Sequence, residues 1–141
     1  MQTGELIREQ RKLKGLTQKQ LAEAIGASEP SIRLYELGKR TPSEDVIKRI
    51  ADSLGISPSA LRSYEVSNVR EALEMLFRLE EEYGLEPFAD GNARGVVINH
   101  KAPKTPKISM AIETWAEMRR QLESGEITEA EYSAWKASFK G

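Results

Sequence analysis

Apolar residues recur at steps of three and four along most of this chain, and glycine, proline and small polar residues punctuate them. That rhythm predicts a series of short amphipathic helices. A first helix is expected from Glu5 to Lys14, with Leu6 and Leu13 turned inward, Ile7 beside them and Gly15 as its stop. Leu21, Ala22 and Ile25 mark a second, Gln18 to Ile25; Ile32 and Tyr35 mark a third. Val46, Ile47, Ile50 and Leu54 mark a fourth, stopped by Gly55, and Ser57-Pro58 opens a short fifth containing Leu61.

The polar residues between these stripes have local work to do. Thr17 can accept an amide hydrogen at the third helical position, where Gln20 stands ready to reach back. Gly26 suits a left-handed stop, Ser28 a second cap, and Pro30 falls in a first turn, where its missing N–H costs little. Ala22 is small enough to let two helices cross sharply near the turn. Thr41-Pro42-Ser43-Glu44 reads as a helix start, with Thr41 as cap and Pro42 at the first position.

The pattern changes after about residue 65. Asn68 and Glu71 predict a cap for a helix to Tyr83, with Val69, Leu73, Leu76 and Phe77 along it and Gly84 as terminator. Glu80-Glu81-Glu82 is expected to be a solvated face rather than a ligand cluster. From Leu85 to His100, Pro87, Asp90-Gly91 and Gly95 break helix while Val96-Val97-Ile98 favours strand, which predicts a small hairpin turning near Asp90 to Ala93. An exposed loop is expected over Lys101 to Lys107. A helix from about Ile108 to Glu123 follows, carrying Ile112, Trp115, Met118 and Leu122 and stopped by Gly125. Thr128 and Glu131 cap a last one with Tyr132, Trp135 and Phe139.

The ordered set Leu16-Thr17-Gln18, Leu21-Ala22, Gly26, Ser28, Ile32, Tyr35-Glu36-Leu37-Gly38-Lys39-Arg40 and Pro42 forms a helix-turn-helix. Over roughly Glu5 to Leu61 it resembles the phage-repressor/Cro type of DNA-binding domain. The tail, GEITEAEYSAWKASF, looks like the C-terminal end of some bacterial regulators, a likeness to which no activity attaches. The expected architecture is therefore mainly α: a five-helix, phage-repressor-like DNA-binding domain over residues 1–64, then a small helical region with a β-hairpin over residues 65–141, serving dimerisation or an effector.

The resemblance implies a site. The second helix of the motif enters the major groove, and its reading positions fall here on Glu29, Pro30 and Leu34. These differ from the amide-rich set of familiar phage repressors. A carboxylate only accepts, so cytosine's exocyclic amine is its partner, while Pro30 and Leu34 offer apolar contact to a thymine methyl. Gln18 is expected to brace Glu29 by donating to its carboxylate, while the amides at the start of the second helix reach a phosphate. Arg33 is placed at the edge of the reading face, where its partner is a phosphate, a guanine bound bidentately or a helix-two acid such as Glu23, with phosphate the expected contact. Ser28 is placed in the same interface as the cap, and Lys19, Ser31, Lys39 and Arg40 as further phosphate contacts. Arg11 and Glu36 are expected to form a structural ion pair tying the first helix to the end of the third.

Charge alters this picture only slightly. The net charge is −1, but residues 1–62 hold 11 Lys/Arg against 8 Asp/Glu and residues 63–141 hold 10 against 14. A mildly basic front suits phosphate and an acidic rear suits facing away from it. Cysteine is absent, which excludes disulfides and thiolate metal sites. No segment has the length and apolarity to span a bilayer, so a cytoplasmic protein without membrane contact is expected. His100 is the only histidine and lies without a nucleophile or acid nearby; a surface place is expected for it. No phosphate-binding glycine loop, metal spacing or nucleophile elbow is present, so neither an enzyme nor a metal or other cofactor is expected.

The expected function is that of a sequence-specific regulator of transcription, a repressor acting as a homodimer on a pseudo-palindromic operator in double-stranded DNA. Trp115, Tyr132, Trp135 and Phe139 are core aromatics or, failing that, a dimer or effector surface for a protein or small molecule. The alternative is an antitoxin or adaptor whose acidic C-terminal region grips a protein partner.

Overall fold

The computed structural model describes residues 1–99, 101, 102 and 104–140. His100, Pro103 and Gly141 lie outside them, and the expected surface place of His100 with them. The chain forms two compact units, Met1–Tyr64 with Ser133–Lys140, and Glu65–Tyr132.

The first unit is a helical domain of α1 (Thr3–Leu13), α2 (Gln18–Ile25), α3 (Glu29–Glu36), α4 (Glu44–Leu54) and a single 3-10 turn, Pro58–Leu61. Ile7, Leu21, Ile32, Ile50, Leu54 and Leu61 are fully buried at its centre. Each such side chain contributes about 1.5–3 kcal/mol of transfer free energy. Ala22, Ile25, Tyr35, Ile47, Ala51 and Ile56 complete this core, as does Ala137 from the C-terminal segment. The Ala137 carbonyl also accepts from the Ser57 amide at 2.8 Å, so residues 133–140 close over the 3-10 turn.

Three expectations for this unit are corrected. The first helix begins and ends earlier, and Leu13 is 59% exposed while Ile7 is the buried residue. Gly4, Ile7 and Arg11 are the positions that face inward, so α1 packs through a stripe rotated away from Leu13. The cap of α4 is Ser43, whose Oγ accepts from the Val46 amide, and Thr41 and Pro42 precede the helix. The expected fifth helix is a four-residue 3-10 turn, capped by Ser57 and anchored by Leu61.

The second unit holds α5 (Val69–Tyr83), the antiparallel strands β1 (Leu85–Asp90) and β2 (Ala93–Ile98), and α6 (Thr105–Ser124). Asn68 Oδ1 accepts from the Glu71 amide to start α5, while the Glu71 carboxylate turns back to the amide and hydroxyl of Ser67. The strands pair from Leu85 with Ile98 to Asp90 with Ala93, leaving Gly91 and Asn92 as the loop. Pro87 is tolerated because its strand has only one hydrogen-bonded neighbour. The helix expected from Ile108 starts three residues earlier. Thr105, 4% exposed, donates from its hydroxyl to the carbonyls of Asn99 and Ala102, which shortens the expected loop. The last helix, α7 (Glu129–Ser138), is capped by Thr128, whose hydroxyl accepts from the Glu131 amide.

Candidate nucleic-acid interface

The turn between α2 and α3 is built as its residues dictate. Thr17 Oγ1 accepts from the Gln20 amide at 3.0 Å, and Gln20 Oε1 accepts from the Thr17 amide at 2.9 Å. Gly26 takes a left-handed conformation, φ 68°, where a β-carbon would be strained. The Ala27 amide then bonds back to the Ala22 carbonyl at 2.9 Å, and Ser28 caps α3 by accepting from the Ser31 amide at 3.3 Å. Leu21, Ala22 and Ile25 of α2 bury against Ile32 and Tyr35 of α3.

That packing orients α3. With Ile32 and Tyr35 inward, Glu29, Pro30 and Arg33 are exposed, and Ser31 and Leu34 are half-buried at the margin. Ser28 is exposed, and its hydroxyl lies 2.9 Å from that of Ser31, so the cap also fixes the Ser31 side chain. Lys39 and Arg40 follow the helix end, where both amides bond to the Leu34 carbonyl, at 3.0 and 3.2 Å. Arg40 is held further by its guanidinium, 5.6 Å from the centre of the Tyr35 ring. Lys19 is exposed on the first turn of α2.

Arg11 and Glu36 are paired. Arg11 Nε lies 2.6 Å from Glu36 Oε1 and Nη2 lies 3.0 Å from Oε2, while Nη1 donates to the Leu16 carbonyl at 2.7 Å. Gln18 does not reach Glu29. Its Nε2 donates to Glu36 Oε2 at 2.8 Å, so the residue expected to brace a reading carboxylate instead completes a buried cluster that joins α1, α2 and α3. Burial opposes the Glu36 charge, but the bonds from Arg11 and Gln18 and the charges of Arg11 and Arg8 outweigh it, holding this carboxyl below its ordinary range.

Two cations that sequence reasoning passed over sit beside the cluster. Arg8 and Lys12, on the exposed side of α1, line a cleft of about 270 Å³ together with Arg11, Gln18, Arg33, Glu36 and Leu37. The signal available was Arg8, Arg11 and Lys12 at helical spacing; what was missing was which flank of α3 they would meet.

The C-terminal aromatics divide between the units. In the second, Trp115 is 51% exposed and its Nε1 donates to the hydroxyl of buried Tyr132 at 2.6 Å. In the first, Trp135 and Phe139 are half-buried, with ring centres 5.4 Å apart at 49°. Among the described residues no group of carboxylates, histidines or cysteines could hold a metal ion.

This geometry is that of an N-terminal helix-turn-helix DNA-binding domain, and residues 7–61 match the family described as Helix-turn-helix. Among solved structures, a SinR protein/SinI protein complex is similar, with 19% sequence identity and a TM-score of 0.45, covering 81% of this chain and 96% of that one. No curated protein matches this chain. No described helix is long and apolar enough to cross a membrane.

Proposed function

We propose that the protein is a sequence-specific regulator of transcription that lays α3 in the major groove of double-stranded DNA. The observation that carries this reading is the outward surface of α3. Glu29, Pro30 and Arg33 are exposed on a helix anchored from behind by Ile32 and Tyr35, with Leu34 at its margin. Glu29 accepts from a cytosine amine, and Pro30 and Leu34 touch methyl groups. Ser28, Ser31, Lys19, Lys39 and Arg40 are placed around that surface to hold phosphates, and Arg33 flanks it. Gln18 supports this surface from behind, through its hydrogen bond to Glu36.

One such domain covers too little DNA for tight specific binding, and a two-fold dimer on half-sites about one helical turn apart supplies the rest. Support for a seam in the second unit comes from α5, which buries none of its 15 residues and exposes Val69, Leu73, Leu76 and Phe77. A second copy of α5 is the occupant that also yields the two-fold needed on DNA. Blocking of promoter access, and so repression in the cytoplasm, follows from occupancy of such a site.

Selection of bound sequences from a random duplex pool, with stoichiometry measured on the winner, tests the whole reading. A pseudo-palindrome bound by two chains is expected. Enrichment of no sequence rejects it, and capture of a different protein on α5 with no DNA affinity favours an adaptor.

A further inference from the structure

We infer that the cleft between α1 and α3 is a seat for one backbone phosphate of the DNA, held by Arg8 and Lys12 of α1 together with Arg33 of α3. The inference rests on the reading of α3 as a groove-binding helix and adds α1 to the surface that meets DNA.

The composition of the cleft favours an anion. Arg8, Arg11, Lys12 and Arg33 line it and Glu36 is its one carboxylate. Arg11 is spent: its three nitrogens donate to Glu36 and to the Leu16 carbonyl. Glu36 is spent as well, on Arg11 and Gln18. Among the described residues, Arg8, Lys12 and Arg33 make no ion pair, although Arg8 is close enough for its charge to act on Glu36. Elsewhere in the chain arginines are commonly matched, as Arg49 is with Asp45 and Arg120 with Glu117. Three unmatched cations around one concavity repel each other and attract a phosphate oxygen, and two of them are guanidinium groups suited to bind it bidentately.

The fold fixes the position of this cleft relative to the reading surface. Gly4 lets α1 approach the end of α3 so closely that a β-carbon there would lie 2.2 Å from the Tyr35 carbonyl oxygen. Arg11 follows two turns later on the same buried stripe of α1, and Arg8 stands exposed at the edge of that stripe. Arg33 belongs at once to the cleft and to the exposed side of α3. A strand bordering the groove that holds Glu29 and Pro30 therefore meets the cleft along the flank of the same helix. Contacts of this kind set register and carry no sequence information.

The test uses the full chain, its selected duplex and an unrelated duplex, with binding measured across a range of salt. Arg8→Gln and Lys12→Gln should each weaken both duplexes alike, and the double variant, which strips both α1 cations from a seat for one phosphate, should reduce the slope of log affinity against log salt by about 1. If the parent binds but the double variant keeps its affinity and slope, the seat is rejected while the reading of α3 stands. If the parent binds no duplex, both fall. Inorganic phosphate and a mononucleotide, titrated without DNA, probe the other source of the same group. Saturable micromolar binding that the double variant abolishes assigns the cleft to a small anion and overturns the duplex assignment. No such binding, with the slopes reduced, supports it.

Discussion

Gln18 donates to Glu36 across 2.8 Å, at the oxygen that also receives Arg11 Nη2. One carboxylate thus gathers the first residue of α2, the last turn of α1 and the last residue of α3. The cluster fixes how the three helices cross, and it leaves Glu29 without a brace from α2. The Glu29 carboxylate is therefore positioned by the backbone of α3 and its serine cap.

Loss of Arg11 alone should be severe. Arg11→Met leaves Glu36, only 7% exposed, with Gln18 as its remaining hydrogen-bond donor. Removing one partner of a buried pair costs about 3–5 kcal/mol, and the lower end is expected here because Gln18 remains. Arg11→Met with Glu36→Leu should recover most of that loss, since the double variant strands no charge. Urea unfolding of the three proteins decides between these outcomes.

The same pair sets an acid limit. The folded Glu36 carboxyl lies below its ordinary range, so its contribution is complete above the unfolded value of about 4.3 and is lost as pH falls through the folded one. Stability should decline on acidification below about pH 4.3, and the decline should be shallower in Glu36→Gln, which starts lower. Equal slopes in the two proteins, followed by urea midpoint against pH, would remove Glu36 from the account.

Gly4→Ala should destabilise the first unit although alanine favours helix. The added carbon would sit 2.2 Å from the Tyr35 carbonyl and 3.1 Å from that of Glu36, both backbone atoms. Prising α1 from α3 costs about 1–3 kcal/mol, more than the helix propensity returns. Thermal unfolding measures this, and a rise in Tm would show that the approach is loose.

Much of the first unit was legible because its signals are local. Thr17, Gln20, Gly26 and Ser28 announce their turn by chemistry that acts within four residues. Leu13 misled because a helix has apolar residues on more than one side, and only the position of α3 selects Ile7 for the core. Gly4 gave no sign of its role, since a close approach depends on the partner. Arg8 and Lys12 were invisible as a site for the same reason, while Arg11 and Glu36 were legible through family likeness. In the second unit, capping again marked α5 and the glycine-rich turn marked the hairpin. The apolar rhythm of α5 did not mean burial within the chain, and periodicity alone never says which surface will cover a stripe.

Glu29→Gln should change which base is preferred at one operator position without altering the salt dependence. Glu29 is exposed at the start of α3, and an amide can donate where a carboxylate cannot. Discrimination at that position should shift by about 1–3 kcal/mol, read by comparing selected sequences for the two proteins. An unchanged preference would reduce Glu29 to a first-turn acid that favours the helix dipole.

Leu73→Glu and Leu76→Glu test the seam on α5. Both side chains are exposed, at 40% and 39%, so a carboxylate at either place should leave the folded chain stable. In a two-fold assembly it would bring an unpaired charge into an apolar interface, facing its own copy, with no partner supplied by Val69 or Phe77. The variants should sediment as monomers with unchanged circular dichroism. Their affinity for the full pseudo-palindrome should fall by more than tenfold, about 1.4 kcal/mol, while affinity for an isolated half-site stays as it was. A dimer that survives both substitutions would move the seam away from α5, and a parent that is already monomeric on a single half-site would remove the need for one.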